Sequence, residues 1–238
     1  MDRRNLIVGA GGLLLTGLTS RLYAKPQQGL AYPSQSCRPI LQTTPGPYIK
    51  PSSPLRSDLR EGLPGVPLKL EVRVVDDIWC KPVEGAVVDV WQCDAIGRYS
   101  GVENVTFDVA SLRVTGVGLD TRGQSFLRGH QVTGQDGAAQ FTTVYPGWYV
   151  PRLPHVHLRV MQQGIDWTAA NTQLFFPAEA EQTVFQSEPY SARGPNPIDL
   201  RRDIVLKGDQ QRKDALTVDL QQDGEGFVGS FEVAITAL

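Results

Sequence analysis

Pro67-Leu68-Lys69-Leu70-Glu71-Val72-Arg73-Val74-Val75 alternates apolar and polar side chains, with Leu68, Leu70, Val72 and Val74 on one side of the pleat. An extended chain patterned this way buries one face, so the stretch reads as a strand lying on a core. Gly85-Ala86-Val87-Val88-Asp89-Val90-Trp91 is a second strand, rich in β-branched residues that suit a pleated surface. Working outward, further strands are expected at 137–144, 155–160, 172–176 and 226–235. Gln135-Asp136-Gly137 and Asp223-Gly224-Glu225-Gly226 supply turns between them. The one helical candidate, 178–186, is short, and no internal repeat or low-complexity tract is present. The expected fold is all-β: a β-sandwich of immunoglobulin or transthyretin-like topology, with function sought where its long loops cluster.

A chain of 238 residues fits one such domain and is long enough to bury a core without disulfide staples. The formal charge of -2 gives nucleic acid no reason to bind. Residues 1–24 hold Asp2, Arg3, Arg4 and Arg21, so the balance without them is more acidic still. Those residues read as an address: paired arginines, a short apolar run from Leu6 to Leu18, then Arg21-Leu22-Tyr23-Ala24. The run is about 13 residues and glycine-bearing, short of the roughly 20 that span a bilayer. Twin arginines point to the Tat route, hence to export into the periplasm or beyond, with no membrane association after cleavage. Residues 25–64 form a Pro-rich N-terminal arm in which Pro26, Pro33, Pro39, Pro45, Pro47, Pro51, Pro54 and Pro64 leave little room for helix. Residues 65–238 form the sandwich.

The three cysteines, Cys37, Cys80 and Cys93, match no zinc spacing. An exported chain can hold one disulfide and must leave one thiol unpaired. Cys37 with Cys80 is the preferred pair, although sequence does not decide it, and Cys93 is read as a small buried residue.

Two of the three histidines stand as His155-Val156-His157 at the start of a strand. Strand side chains alternate, so both imidazoles share one face, some 6–7 Å apart by the strand rise, and both can reach one metal ion. Alone the pair is weak evidence, because a partly exposed strand carries such histidines by chance. Its surroundings are more specific. Pro146-Gly147-Trp148-Tyr149 lies upstream, Arg152 stands three residues before His155, and Tyr99 closes the turn after the second strand. Tyrosine as a ligand suits a hard, highly charged cation such as Fe3+, which draws the phenol's pKa down from about 10 by coordination. Other candidates read blandly. His130 is structural, Trp91 packs beneath Tyr99, and the charged runs Arg201-Arg202-Asp203 and Arg212-Lys213-Asp214 are solvated surface.

These residues resemble the intradiol ring-cleavage dioxygenases, the family of catechol and protocatechuate dioxygenases. The resemblance runs from Thr44-Pro45-Gly46-Pro47-Tyr48 to the C-terminus. It is densest at Pro82-Val83-Glu84-Gly85-Ala86 through Tyr99, at Phe126-Leu127-Arg128-Gly129, and from Phe141 to His157. It implies that Tyr99, Tyr149, His155 and His157 bind Fe(III), that Arg152 stabilises negative charge developing on the substrate, and that Gln173 orients Arg152 or a pocket water. Fe3+, two tyrosinates, two neutral histidines and one hydroxide sum to zero, which avoids the cost of burying net charge. The implied reaction joins O2 to a catechol-type substrate and opens the ring between its hydroxylated carbons, giving a muconate-type diacid. Two departures stand out. The link from Tyr149 to His155 is shorter than in the best-known members, so a different pocket wall is expected. The Pro-rich arm also replaces the helical dimerisation region of the longer catechol dioxygenases. A homo-oligomer is compatible with this reading.

The alternative is a metal-free, transthyretin-like binding sandwich, whose modules share the Pro82–Val88 type of segment but have no need of Tyr99, Tyr149, His155 and His157 together. A cupin-type metalloenzyme would want a richer His and Glu set.

Overall fold

The computed structural model describes residues 37–162, 164 and 168–236, all within one compact unit; residues 1–24, read as a leader, and the start of the arm lie outside them. Among the described residues ten strands form in chain order: β1 (Pro67–Asp76), β2 (Ala86–Trp91), β3 (Glu103–Asp108), β4 (Arg113–Asp120), β5 (Arg128–Val132), β6 (Ala138–Val144), β7 (Val156–Gln162), β8 (Thr168–Leu174), β9 (Asp219–Asp223) and β10 (Gly226–Ile235). Two short helices, α1 (Ala178–Val184) and α2 (Gln210–Ala215), complete the regular structure with one 3-10 turn, Ser191–Arg193.

The strands make two four-stranded sheets, β6-β1-β10-β9 and β5-β2-β7-β8, with β3 and β4 as a separate hairpin. The alternation in β1 does what its pattern implies. Leu68, Leu70, Val72 and Val74 are all buried and share one core with Val88 and Val90 of β2, Val156, Leu158 and Val160 of β7, and Phe231, Val233 and Ile235 of β10. β1 pairs parallel with β10 and antiparallel with β6, which places it inside its sheet.

The same alternation determines where the chemistry goes. Because Val156, Leu158 and Val160 take the inner face of β7, His157 and Arg159 take the outer one. Asp89 and Trp91 of β2 lie opposite them, paired with Arg159 and His157 respectively. That outer face is covered by the Pro-rich arm. There Arg159 donates to the carbonyls of Lys50 and Pro51; farther along, the arm leaves that face, with Leu55 bridging to His130 of β5 and Asp58 to Thr142 of β6 in the other sheet. Cys37 and Cys80 are joined, with Cα atoms 5.4 Å apart, tying the arm to the β1–β2 turn; Cys93 is free and buried.

Four strands were not expected. β3, β4, β5 and β9 lack a clean apolar face: β4 is exposed almost throughout and β9 is Asp-Leu-Gln-Gln-Asp. The expected helix at 178–186 forms as α1, while α2 was not anticipated. The strand expected at 172–176 starts earlier, at Thr168, and ends at Leu174.

A buried two-tyrosine, two-histidine cluster as the candidate metal centre

His155 and His157 flank the first residue of β7, and their rings converge so that the two Nε2 atoms are 3.1 Å apart. Nδ1 of His155 lies 2.6 Å from the carbonyl oxygen of Leu153. A carbonyl only accepts, so the proton sits on Nδ1 and leaves Nε2 unprotonated, the state a metal ligand needs. The His157 ring is stacked on Trp91, centroids 4.9 Å apart at 4°. On its other side Gly46 of the arm comes so close that a Cβ there would sit 3.1 Å from Cε1. Trp91 packs with Cys93 and Tyr99 in a second cluster, as expected, and also serves as the floor of a histidine, which was not.

Tyr99 arrives by way of the turn after β2. Asp94 Oδ1 accepts the backbone N–H of Ile96 and Arg98, and Gly97 takes φ +84° where a Cβ would strike the Trp148 carbonyl. Asn104 then grips the Tyr99 backbone at both ends, accepting its N–H at 2.9 Å and donating to its carbonyl at 2.9 Å. The Thr121 hydroxyl adds a third bond to that carbonyl at 2.6 Å. Tyr149 comes from the loop between β6 and β7.

The two phenol oxygens and the His157 Nε2 gather around His155 Nε2. Tyr99 Oη is 3.5 Å from Tyr149 Oη and 3.4 Å from His155 Nε2, and Tyr149 Oη is 3.5 Å from the same nitrogen. Four donors about 2.0–2.1 Å from one cation at tetrahedral corners stand roughly 3.3–3.4 Å from one another. The spacings around His155 Nε2, 3.1–3.5 Å, match that edge, so these residues fit a metal ion. The remaining His157 nitrogen, Nδ1, is buried and has no hydrogen-bond partner among the described residues. Among the described residues no group of three or more His, Cys, Asp and Glu is placed to hold a metal, so protein donors beyond the two imidazoles would come from the phenols.

Burial, then the nearby Arg152, pushes both imidazoles well below their usual pKa, which keeps them neutral and able to ligate. Burial also pushes the Tyr99 and Tyr149 phenols up. Only a cation at the convergence point reverses that direction, so metal uptake at this cluster must release protons.

Arg152 stands behind the cluster with Nη1 3.3 Å from His155 Nε2. Its Nε bonds Asp203 Oδ2 at 3.0 Å, and Nη2 donates to Gln173 Oε1. Gln173 pairs with His157 across β7 and β8 and donates its own amide to the Thr44 carbonyl at 2.7 Å. The expected link between Gln173 and Arg152 is thus a direct hydrogen bond. Reading Arg201-Arg202-Asp203 as solvated surface was wrong for Asp203, which is fully buried as the counter-charge of Arg152. No pattern in that mixed-sign run reveals it, because the alternation of charge along a chain carries no information about burial. His130 is structural, its Nδ1 bonded to the Ser53 carbonyl at 2.7 Å. Other residues of the site had no assigned role in the sequence: Asn104, Gly46, and the buried Arg128, whose Nε and Nη2 reach Ser100. Tyr99 and Tyr149 open onto a cavity of about 290 Å³ walled partly by the β3–β4 hairpin.

The protein is thus an all-β sandwich carrying a buried, metal-competent cluster on the outer face of one sheet. The family model described as dioxygenase matches residues 46–211, and the chain belongs to the intradiol ring-cleavage dioxygenase family. The protocatechuate 3,4-dioxygenase beta chain of Burkholderia cepacia is 31% identical over 133 residues, 51% of this chain and 50% of that one. The match spans about half the length of that curated relative. An intradiol ring-cleavage dioxygenase from Tetranychus urticae is 28% identical over 85% of this chain and 96% of its own, with a TM-score of 0.71. The dioxygenase domain of a carbohydrate-binding fusion from the cellulolytic bacterium Streptomyces sp. SirexAA-E is 27% identical over 84% and 99%, with a TM-score of 0.55.

Proposed function

We propose that this protein is an iron(III)-dependent intradiol dioxygenase that cleaves a catechol-type aromatic between its two hydroxylated carbons with O2, yielding a muconate-type diacid. The carrying observation is the convergence of two phenols and two neutral imidazoles at a buried point, with His155 Nε2 lying 3.1–3.5 Å from His157 Nε2 and from both phenol oxygens. Tyr99, Tyr149, His155 and His157 would hold the ion, and ferric iron bound there supplies the electron withdrawal that opens a chelated catecholate to O2. The names of the family relatives support the substrate class.

The chain's own residues account for the rest. His155 and His157 bind as neutral donors, and the phenols balance charge. Arg152 directs a permanent cation at the cluster while Asp203 and Gln173 hold its guanidinium still, so it is preorganised for negative charge that develops during reaction. The Trp91 floor and the arm exclude water from the histidine side. The Cys37–Cys80 bond supports an exported enzyme, in keeping with the leader read at 1–24.

The test is to supply iron-loaded protein with catechol and isotopically labelled O2. Cleavage between the hydroxyl-bearing carbons with both oxygen atoms in the diacid is expected. Cleavage beside the diol, or no product from any catechol, contradicts the proposal.

A further inference from the structure

Three arginines are buried among the described residues, and two of them have a carboxylate partner. Arg152 pairs with Asp203 at 3.0 Å, and Arg159 pairs with Asp89 at 2.6 Å. Arg128, 3% exposed, forms no ion pair among the described residues. Its Nε donates to Ser100 Oγ at 3.0 Å, and Nη2 donates to the Ser100 carbonyl at 2.9 Å. The Ser100 hydroxyl is itself fixed, donating to the Phe126 carbonyl at 2.6 Å. The remaining nitrogen, Nη1, is buried and has no hydrogen-bond partner among the described residues. Buried charges are ordinarily paired or set against a metal site, because an isolated one is expensive to take out of water. Bonds to a neutral serine supply no counter-charge.

Strand register places this cation beside the candidate metal centre. Arg128 stands opposite Trp91 in the β2–β5 pairing, Trp91 opposite His157, and His157 opposite Gln173. Opposed residues share a face of the sheet, so Arg128, the indole, the histidine and the glutamine that holds Arg152 form one row on the outer face. Ser100, which Arg128 clamps, directly follows Tyr99 in the chain. Burial works against the positive charge of Arg128, and Tyr99 is the first of the groups that support it, ahead of Asp89. Asp89 is already engaged by Arg159.

We propose that Arg128 is a positioning residue of the metal centre. It fixes Tyr99 through Ser100, and its unbalanced charge is answered by the negative charge that Tyr99 carries as a ligand. The inference rests on the ferric-centre reading and adds to it a residue that acts through a ligand and that ligand's neighbour. A fixed positive charge near the ion disfavours Fe(III) more than Fe(II), since Coulomb repulsion scales with the charge of the ion. Arg128 therefore makes bound iron a stronger electron acceptor, the property on which the proposed reaction draws.

The test is the midpoint potential of the iron-loaded full chain, for wild type, Arg128→Gln and Arg128→Lys, with the tyrosinate charge-transfer band recorded alongside. Glutamine removes the charge and keeps an amide donor for Ser100, whereas lysine keeps the charge and loses the planar fork. Arg128→Gln should move the ferric-to-ferrous affinity ratio roughly tenfold toward ferric, about 59 mV more negative for one electron, and should shift the band. Arg128→Lys should stay close to wild type in potential. If Arg128 is only a clamp, the order reverses, with Arg128→Gln near wild type and Arg128→Lys displaced, and the inference is overturned. Unchanged potentials in both variants overturn it as well. Arg128→Met, neutral and of similar length, takes the place of Arg128→Gln should that variant fail to fold, with the same negative shift expected. A wild type that takes up no iron fails the ferric reading and the inference with it, whereas a coloured, iron-loaded wild type with an unresponsive Arg128 fails the inference alone.

Discussion

Arg152 Nε and Asp203 Oδ2 stand 3.0 Å apart, with side-chain exposures of 5% and 0%. Asp203 also accepts the backbone N–H groups of Leu153, Val205 and Leu206, so one carboxylate fastens the arginine, the segment before the histidines and its own turn. Asp203→Asn leaves the guanidinium buried without a counter-charge. Removing one partner of a buried pair costs about 3–5 kcal/mol. Urea unfolding should show that loss, and a change below about 1 kcal/mol would show that the pair does not anchor this region.

Arg152 itself acts on reacting charge under the proposed mechanism. Arg152→Leu should retain iron and the tyrosinate colour, and catecholate should still shift the spectrum under anaerobic conditions. On admission of O2, turnover should fall about 10²–10³-fold, the loss typical of removing one preorganised charge-stabilising donor. Near-wild-type ring opening would remove Arg152 from the mechanism.

Gly46 places the arm against the histidine edge. Its φ is +71°, a conformation costing an L-residue about 1–2 kcal/mol, and a Cβ there would sit 3.1 Å from His157 Cε1. Gly46→Ala should therefore displace the ring or the arm and weaken iron retention against a chelator, while the sandwich core, which it does not touch, stays folded. Unchanged iron retention would mean the arm does not position His157.

Glu181 on α1 gives the fold a pH dependence independent of the cluster. Burial pushes its carboxyl up to about 7, against the opposing pull of Lys213 at 4.0 Å and of Asn196. The folded state holds this proton more tightly than the unfolded chain does. Its stabilising contribution is complete below about pH 4.5 and is lost as pH rises through about 7. Glu181→Gln should flatten that decline, by about 1–3 kcal/mol between the two limits. Parallel stability curves for the two proteins across this range would refute the burial argument.

Much of this was legible in the sequence wherever one face of a strand is dry. The alternation at Leu68, Leu70, Val72 and Val74 located β1, and the His155-Val156-His157 spacing placed two imidazoles on the face opposite Val156. The β3–β4 hairpin was invisible for the converse reason: Val114, Val117 and Leu119 are exposed, so no buried face imprints a pattern. Arg128-Gly129-His130-Gln131-Val132 has a single large apolar residue, Val132, and that one is exposed, while its buried arginine is satisfied by Ser100 rather than by the core. Asp203 and Gly46 act through contacts 51 and more than 100 residues away in sequence, which local patterning does not encode.

The central claim is that Tyr99, Tyr149, His155 and His157 jointly hold one ferric ion, and it is tested most directly by iron content and visible absorption of the purified protein. One iron per chain is expected, with a tyrosinate-to-iron charge-transfer band. Tyr99→Phe and Tyr149→Phe, each lacking a single oxygen, should keep the fold and shift or bleach the band. His155→Ala and His157→Ala should lose most of the iron, whereas Val156→Ala should cost only about 1–3 kcal/mol of packing. A colourless wild type after iron loading, or an unchanged band in both tyrosine variants, would contradict the assignment.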